Sequence, residues 1–168
     1  MKTTLLLLLP AVAFLAGAWL LLKLSGRGEP PQKPLNRRFG YSLSETVSYW
    51  EALGSRGRSA ERRILELDLA FPLLYGGALA ASLLLARSSL KNPLPVALIL
   101  APVAITLLAD WTENAIHLNQ LGRYVADGQS ALQESWIRVA STATALKLSF
   151  LTVSWLMLAY LIFRSWKS

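Results

Sequence analysis

The sequence contains no cysteine, one histidine and two methionines, and only 16% of its 168 residues are Asp, Glu, Lys or Arg. The missing cysteine excludes disulfide frameworks, thiolate zinc sites, iron–sulfur clusters and cysteine nucleophiles together. One histidine excludes any centre built from several imidazoles. No Gly-x-x-x-x-Gly-Lys-Ser/Thr loop is present, so nucleotide hydrolysis of the P-loop type is excluded. The Gly-x-Ser-x-Gly elbow is also missing, which leaves serine catalysis without support. A soluble domain carries about 25% charged residues. Here the apolar share is 54% and the mean hydropathy is +0.41, so the polar surface needed to cover a globule is lacking. Disordered chains are poor in apolar residues, so disorder is excluded as well. What is there instead is a set of long apolar runs and a formal net charge of +7.

A hydrocarbon core ~30 Å thick takes about 20 mostly apolar residues in a helix. Four stretches qualify, at about residues 4–24, 67–87, 94–121 and 131–164. Backbone amides in lipid have to be satisfied within the segment, so each run is expected to be a helix. The expected fold is all-α: a polytopic membrane protein with four transmembrane helices, forming a single membrane domain over 1–168. An amphipathic helical insertion, an interfacial loop and helix at 25–66, separates spans one and two. An even number of spans puts both termini on one face, side A, together with the turn at 88–95. Side B holds the 25–66 insertion and the turn near 122–130. The first run also has features of a signal peptide, with Lys2 ahead of it and Ala16-Gly17-Ala18 as a small-residue site. The apolar stretch continues past that site through Trp19 to Leu22, which favours an uncleaved anchor.

Local signals mark several boundaries. Ser42 and Glu45 fit a capping box, and Ser130 with Gln133 fits a second one opening the last helix. Gly26–Pro34, with three prolines, reads as a linker. A short helix over Ser42–Leu53 would gather Val47, Trp50 and Leu53. The run Gly54 to Arg58 would break it, and a second helix from Ser59 would lead directly into span two. Tyr49, Trp50 and the basic residues suit an element at headgroup level. A helix folded over the end of the bundle accounts for them equally. The count of Lys and Arg is higher on side B, which the positive-inside rule places in the cytoplasm. A start led by Lys2 argues the reverse.

Ionisable groups inside membrane helices are costly and mark candidate sites. Asp110, Glu113, Asn114 and His117 follow i, i+3, i+4, i+7 spacing and share one helix face. Asp68, Tyr75 and Ser82 are spaced by seven along span two, with Asp68 at its side-B end. Arg138 and Lys147 lie in span four. Across a short turn between spans three and four, Lys147 matches the depth of Asp110 and Glu113, so a buried ion pair with either is expected. Arg138, nearer side B, is expected to serve Glu113 or Asp68. Gly76-Gly77 offers a smooth patch for close helix approach.

The quoted residues permit two readings: a polar network that holds helix register, or a water-reachable cleft open to side B. In the second, Asp110 and Glu113 could act as an acid–base pair with His117 assisting. Asp110, Glu113 and His117 are also an acid-and-histidine set, but with one imidazole and no thiolate they make a poor metal site. No cofactor or metal is expected. Nucleic acid is not an expected partner, because anionic lipid headgroups account for the basic loop.

Arg38-Phe39-Gly40-Tyr41-Ser42, Leu53-Gly54-Ser55-Arg56-Gly57-Arg58, Asp68 to Phe71-Pro72 and Tyr75, and Asp110 to Glu113-Asn114 occur in this order. In this the chain resembles a group of small bacterial four-helix integral membrane proteins of uncharacterised function. The resemblance covers most of the chain after the first span. It implies an inner-membrane, multi-pass unit in which the loop motif LGxxGR and the acidic motifs DxxFPxxY and DxxEN belong together. It implies no activity. The leading expectation is a protein that binds a membrane lipid or a membrane-protein partner through a polar cleft at one membrane face. An intramembrane enzyme acting on a lipid-like substrate is the alternative. Ion movement over Asp110, Glu113 and Lys147 is a third, weakened because the side-A halves of the spans offer no matching polar path.

Overall fold

The structure is a computed structural model that describes residues 2–25 and 32–166. The side chain of Lys2, together with Arg27, Lys167 and most of the expected linker, lies outside the described residues. The described chain is all-α. Its α-helices are α1 (Lys2–Ser25), α2 (Leu43–Leu67), α3 (Phe71–Ser88), α4 (Val96–Asp127) and α5 (Glu134–Trp166), with 3-10 turns at Leu35–Arg37 and Gln129–Ala131. Three of these helices, α3, α4 and α5, are long and apolar enough to cross a membrane. In α1 the apolar stretch among the described residues is Leu8–Leu21, shorter than those three. At 1.5 Å per residue, α4 and α5 each run to roughly 50 Å, so both extend well beyond a hydrocarbon core.

Helices α4 and α5 form a hairpin, α3 packs against both, and α1 lies along α3. Phe14 of α1 meets Phe71 and Tyr75 of α3 with ring centroids 5.6 and 5.8 Å apart. The smooth patch is half as expected. A Cβ on Gly76 would come within 2.5 Å of Leu107 Cδ2, so the Leu107 side chain of α4 packs directly onto α3 at this glycine. Gly77 faces open space and carries none of this packing.

Two apolar cores are stacked along the bundle. One, toward the 88–95 turn, joins Leu79, Leu83 and Ala86 of α3 to Ile99 and Val103 of α4 and to Leu158 and Leu161 of α5. The other, at the opposite end, joins Leu35, Tyr41, Tyr49, Trp50 and Leu65 to Ile116, Leu121, Ile137 and Ala140. Tyr49 and Trp50 are 0% and 1% exposed. Tyr49 and Trp50 therefore belong to a cap folded over the end of the bundle and do not reach outward to headgroups, while Phe39 of the same insertion is exposed.

The capping box at Ser42 forms as expected. The Ser42 backbone N–H donates to Glu45 Oε2 at 2.7 Å, and Glu45 N–H donates back to Ser42 Oγ at 3.3 Å. The Ser42 backbone and hydroxyl donors hold the exposed Glu45 carboxyl below its ordinary range. A depressed carboxyl contributes stability above its unfolded value and loses it as pH falls through the folded one. Ser42→Ala should therefore raise amide exchange across the first turn of α2 by an amount worth about 1 kcal/mol. Mildly acid pH should bring the unsubstituted protein toward the same exchange rate.

Four boundaries differ from the sequence expectation. The break at 54–58 contracts to a kink at Gly54, whose φ of 62° and ψ of −177° are open to glycine alone, and helix resumes at once. The helix from Ser59 does not run into the second span. It stops at Leu67, and three residues of turn precede α3. Helix α4 continues to Asp127, past the expected end near 121. The second capping box does not form, because Gln133 donates its backbone N–H to Gln120 Oε1 at 2.9 Å and α5 starts at Glu134.

Candidate functional site

Between the two apolar cores lies a polar layer. Asp110 and Glu113, one turn apart on α4, both point at α5. Lys147 Nζ donates to Asp110 Oδ1 at 3.1 Å and to Glu113 Oε2. The ion pair expected from matched depths is thus present in both of its forms at once. Tyr75 of α3 donates to Asp110 Oδ2 at 2.8 Å, and Asn114 Nδ2 lies 3.4 Å from Asp110 Oδ1. The same Asn114 amide donates to the backbone carbonyl of Asp68 at 3.2 Å, which ties the turn between α2 and α3 to α4. Trp111 Nε1 reinforces that tie by donating to Leu69 O at 2.8 Å. The seven-residue stripe on span two holds only in part: Tyr75 and Ser82 lie on α3, Asp68 lies in the turn before it, and all three are buried.

His117, one turn beyond Glu113, belongs to a second polar group. Its Nε2 lies 2.8 Å from the Tyr41 hydroxyl, which is also 3.2 Å from Thr144 Oγ1. Tyr41 N–H donates to Ser141 Oγ at 2.8 Å, so the segment before α2 is pinned to α5. Burial, with the Glu113 charge adding to it, pushes the Tyr41 phenol up, and it remains a neutral hydroxyl at any ordinary pH. Trp50 stacks edge-on to His117 at 6.4 Å and tilted to Tyr124 at 5.5 Å, closing the group from above.

Asp68, Tyr75, Asp110, Asn114 and Lys147 therefore meet around Glu113, and none is more than 7% exposed. That overturns the water-reachable cleft, because the cap and the α3–α4 contacts seal the cluster. It also separates His117 from the carboxylates it was expected to assist. Arg138 is not part of the site. It pairs with Glu134 on its own helix at 2.9 Å, both side chains largely exposed. Among the described residues no group of three His, Cys, Asp or Glu side chains could hold a metal ion.

An open feature lies elsewhere among the described residues. A groove of about 750 Å³ runs along the outer side of the α4–α5 hairpin. Its apolar wall is made by Ile105, Leu108, Ala109, Val139, Ala143 and Leu146. Thr112, Glu134, Ser135, Arg138 and Thr142 supply its polar part, with Glu134, Ser135 and Arg138 at the capped end of α5. Tyr41 and Thr144 were not among the expected site residues. The only signal for Tyr41 was its place in the Arg38–Ser42 motif.

No family model, curated protein or solved structure matches the chain. The site is therefore read from its own chemistry.

Proposed function

We propose that the protein is a non-catalytic, multi-pass membrane protein that seats one chain of a lipid-like amphiphile in the α4–α5 groove. The observation that carries this reading is the groove's division into an apolar wall and a polar end bearing both a guanidinium and a carboxylate. Ligand sites are concave, mostly apolar and supplied with a few polar groups that orient the ligand. The sealed cluster behind the groove then serves as its frame, fixing α4 against α5 with charge-assisted contacts. In this reading α1 is a fourth span, the protein resides in the bacterial inner membrane, and the cap faces the cytoplasm. The basic excess of the cap segment supports that orientation. The likeness to the uncharacterised four-helix group is part of the same proposal, and rests on the acidic motifs converging in one layer.

An acid–base enzyme has less behind it. Asp110 and Glu113 both sit on Lys147 and have no opening through which a substrate would reach them.

Native mass spectrometry of the purified full chain tests the binding reading. The wild type should retain one lipid-like molecule. Val139→Trp, a substitution at a half-exposed groove position, should lower its occupancy by about tenfold, the equivalent of ~1.4 kcal/mol. Its melting temperature should stay near that of the wild type. An empty wild type, or undiminished occupancy in Val139→Trp, would remove the groove as a binding site.

A further inference from the structure

The groove along α4 and α5 is graded in polarity along the bundle. Arg138 and Arg164, near opposite ends of α5, are roughly 39 Å apart at 1.5 Å per residue. A bilayer measured through its headgroups is about 40–45 Å thick. With Arg164 at one headgroup level, Arg138 therefore reaches the other, on the capped side. From Arg138 the groove descends toward the midplane past Val139, Ala143 and Leu146, with Leu108 and Ile105 opposite them on α4. A lipid of the leaflet on the capped side would lie lengthwise in it, its head beside Arg138 and one acyl chain along the apolar wall.

The groups at the polar end narrow the choice of headgroup. Glu134 and Arg138 are the two charged residues that line the groove, one helical turn apart and both largely exposed. An exposed ion pair of this kind contributes little, so a ligand can open or bridge it at little cost. Thr112 and Thr142 give their hydroxyl hydrogens to Leu108 O and Arg138 O on their own helices, and so present acceptors to the groove. The guanidinium is then the strong donor for a phosphate. The carboxylate beside it calls for a cation that can donate hydrogen bonds. An anionic headgroup without an amine would bring its charge against Glu134. A quaternary ammonium has no N–H to give to that carboxylate. The two carbons of an ethanolamine link let a primary ammonium fold back to a carboxylate next to the guanidinium that holds its phosphate. Resting on the reading of the groove as a lipid site, we propose that it selects a phospholipid with a phosphoethanolamine head. Its phosphate sits on Arg138 and its ammonium on Glu134.

Native mass spectrometry of the purified full chain, titrated in detergent with dioleoyl phosphatidylethanolamine, phosphatidylcholine and phosphatidylglycerol, tests the assignment. The ethanolamine lipid should bind about tenfold more tightly than either of the others, the effect of one charge-assisted hydrogen bond. Glu134→Gln should abolish its preference over the glycerol lipid, and Arg138→Gln should weaken all three. Both side chains are largely exposed, so both variants should keep the melting temperature of the wild type. Equal binding of the three lipids, a preference for the glycerol or choline head, or an ethanolamine preference that survives Glu134→Gln would overturn the headgroup assignment. In each of those cases, weaker binding of all three lipids to Val139→Trp would leave the groove standing as a lipid site. Binding of none of the lipids, or binding indifferent to Val139→Trp, would remove the groove and the headgroup assignment together.

Discussion

Lys147→Met removes about 3–5 kcal/mol of stability, the cost of stranding a buried charge whose partner has been deleted. The substitution keeps the length and apolar stem of the side chain and takes away only the ammonium. Asp110 then retains Tyr75 and Asn114 as donors but no countercharge. The double substitution Lys147→Met with Asp110→Asn should recover only part of the loss, since Asp110 is then no longer a charge without its partner but Glu113, which also meets Lys147, is. Reversible unfolding in detergent, followed by circular dichroism for both single variants and the double, gives the double-mutant cycle. A loss below about 1 kcal/mol in Lys147→Met would mean that the layer is wetter than its burial implies.

The Lys147 contact was legible in the sequence because a hairpin equates depth with distance from the turn. The turn itself lies later than expected, near 128–133 in place of 122–130. That shift of about one helical turn is absorbed by a long side chain. Arg138 departs from the expectation that it would serve Glu113 or Asp68. It lies nine residues before Lys147, about half a turn out of phase at 3.6 residues per turn. It could not share a face with a residue already assigned to the carboxylates, and it took the i, i+4 acid on its own helix instead. Tyr75 and Ser82 were legible for the opposite reason, since a seven-residue period stays in phase along one helix, whereas Asp68 reaches the same layer from the turn before α3.

The seal over the cluster was not legible. It depends on Tyr41 meeting His117 across 76 residues of sequence, and no local pattern specifies how a segment without regular structure folds back. Composition was misleading here as well. Tyr49 and Trp50 beside basic residues have the look of a membrane-surface element, yet both rings are inside. Arg58 satisfies the Trp50 carbonyl at 3.0 Å and lies over the Tyr124 ring at 5.6 Å, and Arg38 lies over Tyr49 at 5.7 Å. The guanidinium groups that looked like lipid ligands partly serve to hold the cap's own aromatics.

Trp50→Ala is therefore expected to open the cap and leave the spans in place. Large aromatic-to-alanine changes in a packed core cost about 3–5 kcal/mol, and Trp50 is among the largest fully buried side chains described. The loss falls on the core that joins the cap to Ile116, Leu121, Ile137 and Ala140. The second core, toward the 88–95 turn, contains no residue of the cap and should hold α3, α4 and α5 together. Amide exchange should accelerate through α2 while the 96–106 and 150–162 segments keep their protection. The single histidine of the chain supplies a chemical readout of the same event. His117 lies beneath Trp50, 2% exposed in the closed cap, so an imidazole acylating reagent should leave the wild type unmodified and label Trp50→Ala at one position. Uniform loss of protection along α3 to α5 would show instead that cap and spans unfold as one unit. Labelling of wild-type His117 at the same rate as the variant would show that the cap already opens on its own.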